Sequence, residues 1–520
     1  MVRFESGSKK SANSTRQLAP LHYGYRHDIG CAEGNPGRPF MLLTTLAEYQ
    51  VRPGLLREWK LDAASFHEAA GAADGTTPPS YNQEWHLKYV SKLAERGIRI
   101  PMWMGFVFEI SGSLRTEMFR ETLRVCAERH ETLRSAFRVR DGRTECFTVA
   151  PERLRVKDEI LGDFAGGDEM CLWLQERIDD ATDAFCRPSY VVETVERVDS
   201  TTVIVALDHA HTDGLSVMTA VQEWQDLYAA VAGGRTVEHQ QVGSYVDFGV
   251  AERAAAESVG SDDPAVGCWR RFIETGGEGL LRFPLDLGVA EGELLPHTKL
   301  DVRLLDGPAA EAVEEACHGA GGGFLAGLLA AFAIVTHQIT GDPVYRTVMP
   351  WHTRSRPEWL RSMGWYVGIG PVEIDLSAAE SFRDVVRSAQ RSAVTAQLLS
   401  RTPIARIAQL LGIEDELEQR MPEVFPFVSF TDMRVIPGTL RWSEWNARPL
   451  VRMKTRGNRV NTWIHRTHEG VWVTARYPGT ETADAGVACY ANGVRKVLQT
   501  VAQTGDYVLG GCPTTAGGAA

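Results

Sequence analysis

The chain has 520 residues, 44% of them apolar and 23% charged, with a formal net charge of −12. That length exceeds one compact core and predicts two or more core-forming units in an ordinary soluble globular protein. The acidic balance, with no long basic run, excludes the concentrated positive face that a nucleic-acid partner needs. The longest apolar stretch, 324–335, is too short to cross a bilayer and predicts a buried helix. Lys9, Lys10 and Arg16 precede no apolar segment, so no signal peptide is read and a cytoplasmic protein is expected. Nine cysteines are scattered without a CxxC pair, which predicts reduced thiols, not disulfides or a zinc site. Cys126 falls in the helical register of Phe119 and Leu123, where a small apolar residue packs.

Residues 1–38 are rich in Ser, Lys, Gly and Asn without a period and read as a mobile extension; 71–79 and the tail 509–520 share that character. A strand is expected at 102–110 and an amphipathic helix at 114–129. A hairpin is expected around Asp141-Gly142, joining 136–139 to 146–149. The β-branched run 201–207 predicts a strand buried on both faces. Val217, Ala220, Val221, Trp224 and Tyr228 then repeat at helical spacing. A connector at 233–296 carries helices near 245–258 and 266–275. In a second half, 297–508, two helices at 309–339 are divided by 319–323, and strands follow at 344–349, 372–375, 427–432 and within 462–477. Two α/β halves of similar size, 39–232 and 297–508, each with a mixed sheet, are the expected architecture.

The segment Asp208-His209-Ala210-His211-Thr212-Asp213-Gly214 lies between the buried strand and the amphipathic helix. Such a loop is rigidly supported and is where catalytic side chains often emerge. Three readings are open. His209 can be neutral near pH 7 and serve as a general base, with Asp213 orienting it and Gly214 freeing the backbone for a close approach. His209, His211 and Asp213 can instead ligate a metal, although the local sequence names no further ligand. Or the segment is a capped helix start with solvated histidines.

The residues themselves tilt that choice, because the loop resembles the HHxxxDG motif of condensation domains and their stand-alone acyltransferase relatives. Asp208 stands where the family has its first His; His209, Asp213 and Gly214 match the catalytic His, the Asp and the Gly. Residues 129–137, RHETLRSAF, resemble the family's RHExLRTxF signature. Tyr245-Val246-Asp247-Phe248 and Phe283-Pro284-Leu285-Asp286 are similar to its connector. Gly341-Asp342, Arg354-Ser355-Arg356-Pro357-Glu358 and Gly364-Trp365-Tyr366-Val367-Gly368 resemble its GRxRPE…GFFVN region. The matches run in order from about 80 to 477. Within the superfamily the likeness is to the polyketide-associated acyltransferases of actinobacteria that acylate trehalose-type glycolipids. His209, Asp213 and Tyr228 have that subgroup's His-x3-Asp-x14-Tyr spacing, although Tyr228 equally fits a core aromatic. Pro78-Pro79-Ser80-Tyr81, Met363-Gly364-Trp365 and the segment 427–432 also look like its sequences. The DFGWG segment of condensation domains has no counterpart; the nearest region, 440–445, does not match.

The resemblance implies two chloramphenicol-acetyltransferase-like halves forming a V with the active site between them, and no cofactor and no metal. It implies acyl-CoA, or an acyl carrier protein of a polyketide synthase, as donor, and a sugar hydroxyl as acceptor. It leaves room for peripheral membrane contact through a lipid product. His209 would be the base and Asp213 would pair with Arg354. Asp208 and Tyr228 would support the site. Trp365, Ser429, Asp432 and Trp463 would meet substrate, and Arg434, Asn461 and His465 lie where a polar mouth could form. A stand-alone condensation enzyme making an amide or ester on an assembly line is the alternative. A binding or scaffold module of the same fold is the third reading, against which intact His209 and Asp213 count.

Overall fold

A computed structural model describes residues 43–72, 77–235, 241–276, 281–419, 426–452 and 456–510. The extension expected at 1–38 and the tail from 511 lie outside the described residues, as do 73–76 of the low-order patch. The first sheet has the strand order Arg448–Val451, Trp103–Ser111, Ser200–Asp208, Tyr190–Glu196, Leu55–Leu61, Val156–Asp163, and its neighbours pair antiparallel throughout. Every residue of Ser200–Asp208 is buried, as its unbroken β-branched run predicts. Its side chains alternate between two cores. Val203, Val205 and Leu207 join one built on the helices Thr116–Arg129 and Gly214–Ala232. Ile204 and Ala206 join another, built on the helix Gly167–Ala181. Cys126 sits in the first of these cores, where burial pushes its thiol well above the ordinary range. The hairpin Ser135–Arg140/Arg143–Thr148 turns at Asp141 and Gly142, both at positive φ, the conformation a two-residue hairpin loop demands.

In the second half a five-stranded sheet has the order Val428–Asp432, Asn461–Thr467, Gly470–Pro478, Leu295–Asp306, Arg456–Gly457. Its first pair is parallel and the others antiparallel. The strand signal at 462–477 therefore resolves into two strands. The ladder Val344–His352/Val367–Asp375 joins this sheet through a bridge from Val348 to Phe427. Four helices, Gly307–Gly319, Phe324–Thr340, Phe382–Leu399 and Glu481–Thr504, cover one face and make the largest core. The apolar run 324–335 is the buried heart of Phe324–Thr340, and no single helix among the described residues is long and apolar enough to cross a membrane.

The expected second half is not one packing block. Residues 433–452 leave it: Met433, Ile436, Trp442, Trp445 and Ala447 bury in the first half's core, and Arg448–Val451 adds the edge strand beside Trp103–Ser111. Two large indoles drive this crossover, because their burial removes more apolar surface from water than any other side chains there. The region 440–445, which fails to match DFGWG, thus ties the halves together. The connector does so too. Tyr245 and Phe248 on the helix Tyr245–Glu257 pack against Trp359 and Tyr366 of the second half, and the Tyr245 hydroxyl lies 3.0 Å from Ser80 Oγ of the first.

Among the described residues, Glu193 is a buried acid with no ion-pair partner. Glu58 and Glu193 face each other across Leu55–Leu61 and Tyr190–Glu196, and both Arg177 and Lys60 pair with Glu58. Glu193 is 0% exposed, and neither carboxyl oxygen has a hydrogen-bond partner among the described residues. Burial first, and the Glu58 charge second, push its carboxyl up to about 8. The unfolded group titrates near 4.5, so between those values the folded state holds the extra proton. Unfolding free energy therefore falls as pH rises through that window and levels above it. Glu193→Gln is expected to remove this slope and to stabilise the protein above pH ~8 by on the order of a few kcal/mol. Denaturant melts from pH 5 to 9 check this; an unchanged slope in the variant would show that Glu193 is ionised when folded.

Candidate active site

The strand Ser200–Asp208 delivers its last residue into a short 3-10 turn, His209–His211, capped by Asp208, whose carboxylate accepts the Ala210 N–H at 2.9 Å. Two residues on, Asp213 is the N-cap of the helix Gly214–Ala232 and accepts the Ser216 N–H at 2.7 Å. Gly214 is not at positive φ, and a Cβ there would meet nothing within 4 Å. The turn into the helix therefore does not need its backbone freedom; what the missing side chain leaves is open space beside the loop.

Arg354 follows the strand Val344–His352 of the second half and reaches Asp213 with both guanidinium ends, at 2.8 and 3.0 Å. The pair expected from the resemblance is thus formed, and both residues are buried, at 4% and 1% exposure. Arg354 also donates to Ser216 Oγ at 2.7 Å and lies over the Tyr366 ring at 4.4 Å, while the Tyr366 N–H donates to Asp213 at 3.0 Å. Burial alone would raise the Asp213 carboxyl, but Arg354 and Ser216 together hold it below its ordinary value.

His209 Nδ1 lies 3.1 Å from the Thr212 carbonyl. A carbonyl only accepts, so Nδ1 carries the hydrogen and Nε2 the lone pair. The ring stacks on Trp365, with centroids 4.0 Å apart and planes at 30°. Burial, more than the neighbouring charges, lowers the pKa of the imidazole below 6.5, which keeps it neutral at pH 7. Trp365, expected to meet substrate, is the surface against which the His209 ring is packed. Gly364 precedes it because a Cβ there would come within 2.3 Å of the Tyr245 ring.

His211 turns the other way. Its Nδ1 lies 3.1 Å from Thr132 Oγ1, its ring packs on Phe137, and burial depresses it to about 4. His209, His211 and Asp213 are therefore committed to three separate partners, and no group of His, Cys, Asp and Glu among the described residues is placed to hold a metal ion. The RHETLRSAF segment also finds its use here. Thr132 holds His211, and His130 Nδ1 accepts the Met363 N–H at 3.3 Å, joining the first half to the Trp365 loop.

The other expected residues have these partners. Tyr228 is ~20 Å along its helix from Gly214. It packs on Phe119, and its hydroxyl accepts the Arg115 N–H at the start of Thr116–Arg129. It is a core aromatic that supports a helix end, not the site. Asp432 is occupied by a two-point pair with Arg434. Trp463 packs edge-on to Phe427 and beneath Arg476, in register with Ser429. His465 and Asn461 are 1% and 3% exposed, so they sit inside the structure, not at an open mouth. What sequence reasoning missed is the helix Tyr81–Glu95. His86 Nε2 lies 2.9 and 3.1 Å from the two Asp208 oxygens, and Gln83 donates to the Ala210 carbonyl at 2.9 Å. The one signal was Asp208 itself, a buried acid in a histidine's place that had to find a donor.

A fold of two such halves, joined at a His-x3-Asp loop, defines the class, and comparison with known proteins agrees. The condensation-domain family model matches residues 99–434, and the chain belongs to that family. It is an acyltransferase by its relatives. It is 29% identical over 402 residues, 76% of each chain, to the 2'-acyl-2-O-sulfo-trehalose (hydroxy)phthioceranyltransferase PapA1 of Mycobacterium bovis. It is 25% identical over 469 residues to the trehalose-2-sulfate acyltransferase PapA2 of the same species, covering 88% of this chain and 96% of the relative. Acyltransferase PapA3 of Mycobacterium tuberculosis is 24% identical, with 90% and 98% covered. Among solved structures, a PapA2 acyl transferase superposes with a TM-score of 0.79 at 23% identity, covering 88% of this chain and 99% of that one. The condensation domain of the monacolin K polyketide synthase MokA gives 0.63 at 16% identity, covering 84% and 99%. These two show the shared fold.

Asp213→Asn leaves Arg354 buried without its counter-charge. The variant is expected to lose about 3–5 kcal/mol of stability. Urea melts at pH 7 check this, and a loss below about 1 kcal/mol would show that the pair contributes little.

Proposed function

We propose that this chain moves an acyl group from a thioester, acyl-CoA or an acylated carrier protein, to a hydroxyl of a trehalose-like sugar or glycolipid, with His209 as general base. The observation that carries the chemistry is the tautomer of His209: Nδ1–H tied to the Thr212 carbonyl, the ring stacked on Trp365, and the lone pair on Nε2. The acceptor O–H gives its proton to Nε2 as its oxygen attacks the thioester carbonyl carbon. The tetrahedral oxyanion collapses, the C–S bond breaks, and the imidazolium returns the proton to the leaving sulfur. The products are an ester and a free thiol. Such a base contributes about 10²- to 10⁴-fold.

Donors for the oxyanion are available at the helix start. The first N–H groups of a helix have no partner within it. The Ser216 N–H is taken by Asp213, so those of Gly214 and Leu215, at the end of the helix that favours negative charge, are the candidate donors. Asp213 is the poorer candidate for the base, because its carboxylate is saturated by Arg354, Ser216 and Tyr366. The sugar acceptor is supported by the relatives, whose names specify acylation of sulfated trehalose.

The test is product formation by mass, with long-chain acyl-CoA presented with trehalose, sulfated trehalose, free amino acids and an aminoacyl carrier protein. Ester on the sugars and little amide are expected; ready acylation of the carrier-bound amine with none on the sugars would replace this reading with peptide-type condensation. His209→Ala should lose ~10²-fold or more in kcat at an unchanged melting temperature. A folded variant within a few-fold of the parent would remove His209 from the mechanism. Because burial lowers the His209 pKa, the acid limb of kcat/KM should be centred below 6.5, the ordinary value for the imidazole. An acid limb centred above 7 would contradict a depressed base.

A further inference from the structure

The loop that carries His209 is held by an element far away in sequence. The helix Tyr81–Glu95 places Gln83 and His86 three residues apart, hence on one face. Gln83 takes the Ala210 carbonyl at 2.9 Å. His86 takes the Asp208 carboxylate at 2.9 and 3.1 Å, and that carboxylate takes the Ala210 N–H at 2.9 Å. Both peptide ends of Ala210, the middle residue of the His209–His211 turn, are thereby fixed from one helix. Gln83, His86, Asp208 and Ala210 are all buried. The same helix reaches the second half, where Asn82 donates to the Val367 carbonyl at 2.7 Å. Trp365, stacked on His209, presents a T-shaped contact to His86 at 5.8 Å.

We propose that His86 and Gln83 are positioning residues for His209. Acting through Asp208 and Ala210, they hold the turn in the one conformation that keeps the Thr212 carbonyl on Nδ1 and so keeps the lone pair on Nε2. If the turn rotates about Ala210, Nδ1 loses its acceptor, the tautomer is no longer specified, and the basic nitrogen is misplaced. Asp208 suits this arrangement because a carboxylate receives the His86 ring and the Ala210 N–H together, and a buried carboxylate without such donors would be costly. That the misplaced nitrogen is the catalytic one rests on the function proposed above; the turn and its tautomer do not.

The experiment compares His86→Phe, His86→Gln and Gln83→Leu with the parent. Gln presents a nitrogen donor near the place of Nε2, and Phe presents none. In protein labelled with ¹⁵N at histidine, long-range ¹H–¹⁵N spectra report the His209 tautomer directly, and the His209→Ala variant assigns the signal. The parent is expected to show Nδ1–H, His86→Gln the same, and His86→Phe and Gln83→Leu a mixture with the Nε2–H form. In steady-state transfer, His86→Phe should lower kcat by ~10²-fold while KM stays within about three-fold, and His86→Gln should restore most of that loss. A folded His86→Phe with parental tautomer and kcat overturns the proposal, as does His86→Gln falling as far as His86→Phe. If His86→Phe does not fold, Gln83→Leu decides by the same spectra, parental tautomer refuting and a mixture supporting. If the parent transfers no acyl group, the functional reading fails, and the spectra still decide the positioning.

Discussion

The buried ion pair between Arg354 and Asp213 is the contact on which the site depends. Taking two charges out of water costs several kcal/mol per ion, which attraction offsets only if the remaining donors and acceptors are also satisfied. Here the two-point contact is completed by the Ser216 N–H and hydroxyl, the Tyr366 N–H and the Tyr366 ring. Those partners come from both halves of the chain. The pair therefore fixes the start of the helix Gly214–Ala232 against the loop that carries Trp365, and Trp365 in turn fixes the ring of His209. A replacement that kept the charge but lost the forked geometry would hold fewer of these partners.

Asp213 is ionised but neutralised by Arg354, so it does not stabilise an imidazolium strongly, and burial remains the leading influence on His209. The histidine thereby stays neutral, as the proposed base role needs, while its backing comes from a fully buried strand and from the helix Tyr81–Glu95. The crossover of 433–452, with Trp442 and Trp445 in the first core, keeps the two halves in one arrangement. A loop so braced can be short and still precise, which base catalysis requires.

Much of this was legible in the sequence because local signals were strong. The β-branched run before Asp208, the 3.6-residue pattern after Gly214, and the Asp141-Gly142 turn each depend on neighbours in the chain, and each forms as read. The Arg354 pairing was legible only through resemblance, since nothing local links residues 141 positions apart. What was not legible depended on long-range packing. Tyr228 has the right spacing, but a helix rising 1.5 Å per residue carries it away from the site and into the core. Asn461 and His465 are polar but face the interior of a sheet whose burial periodicity cannot reveal. The helix Tyr81–Glu95 has a mixed polar sequence that hides its role, because Gln83 and His86 are buried for their hydrogen bonds, not their apolarity. Region 440–445 looked like a failed motif, yet its two indoles are what bury in the opposite half.

In the proposed mechanism transfer is direct: His209 moves a proton and never carries the acyl group. Intact-protein mass spectrometry during turnover tests it, with acyl-CoA added first and trehalose added later. An enzyme of unchanged mass is expected throughout, with acylated sugar appearing after the second addition. An enzyme population heavier by one acyl group, formed before the sugar is added and lost as product appears, would contradict it.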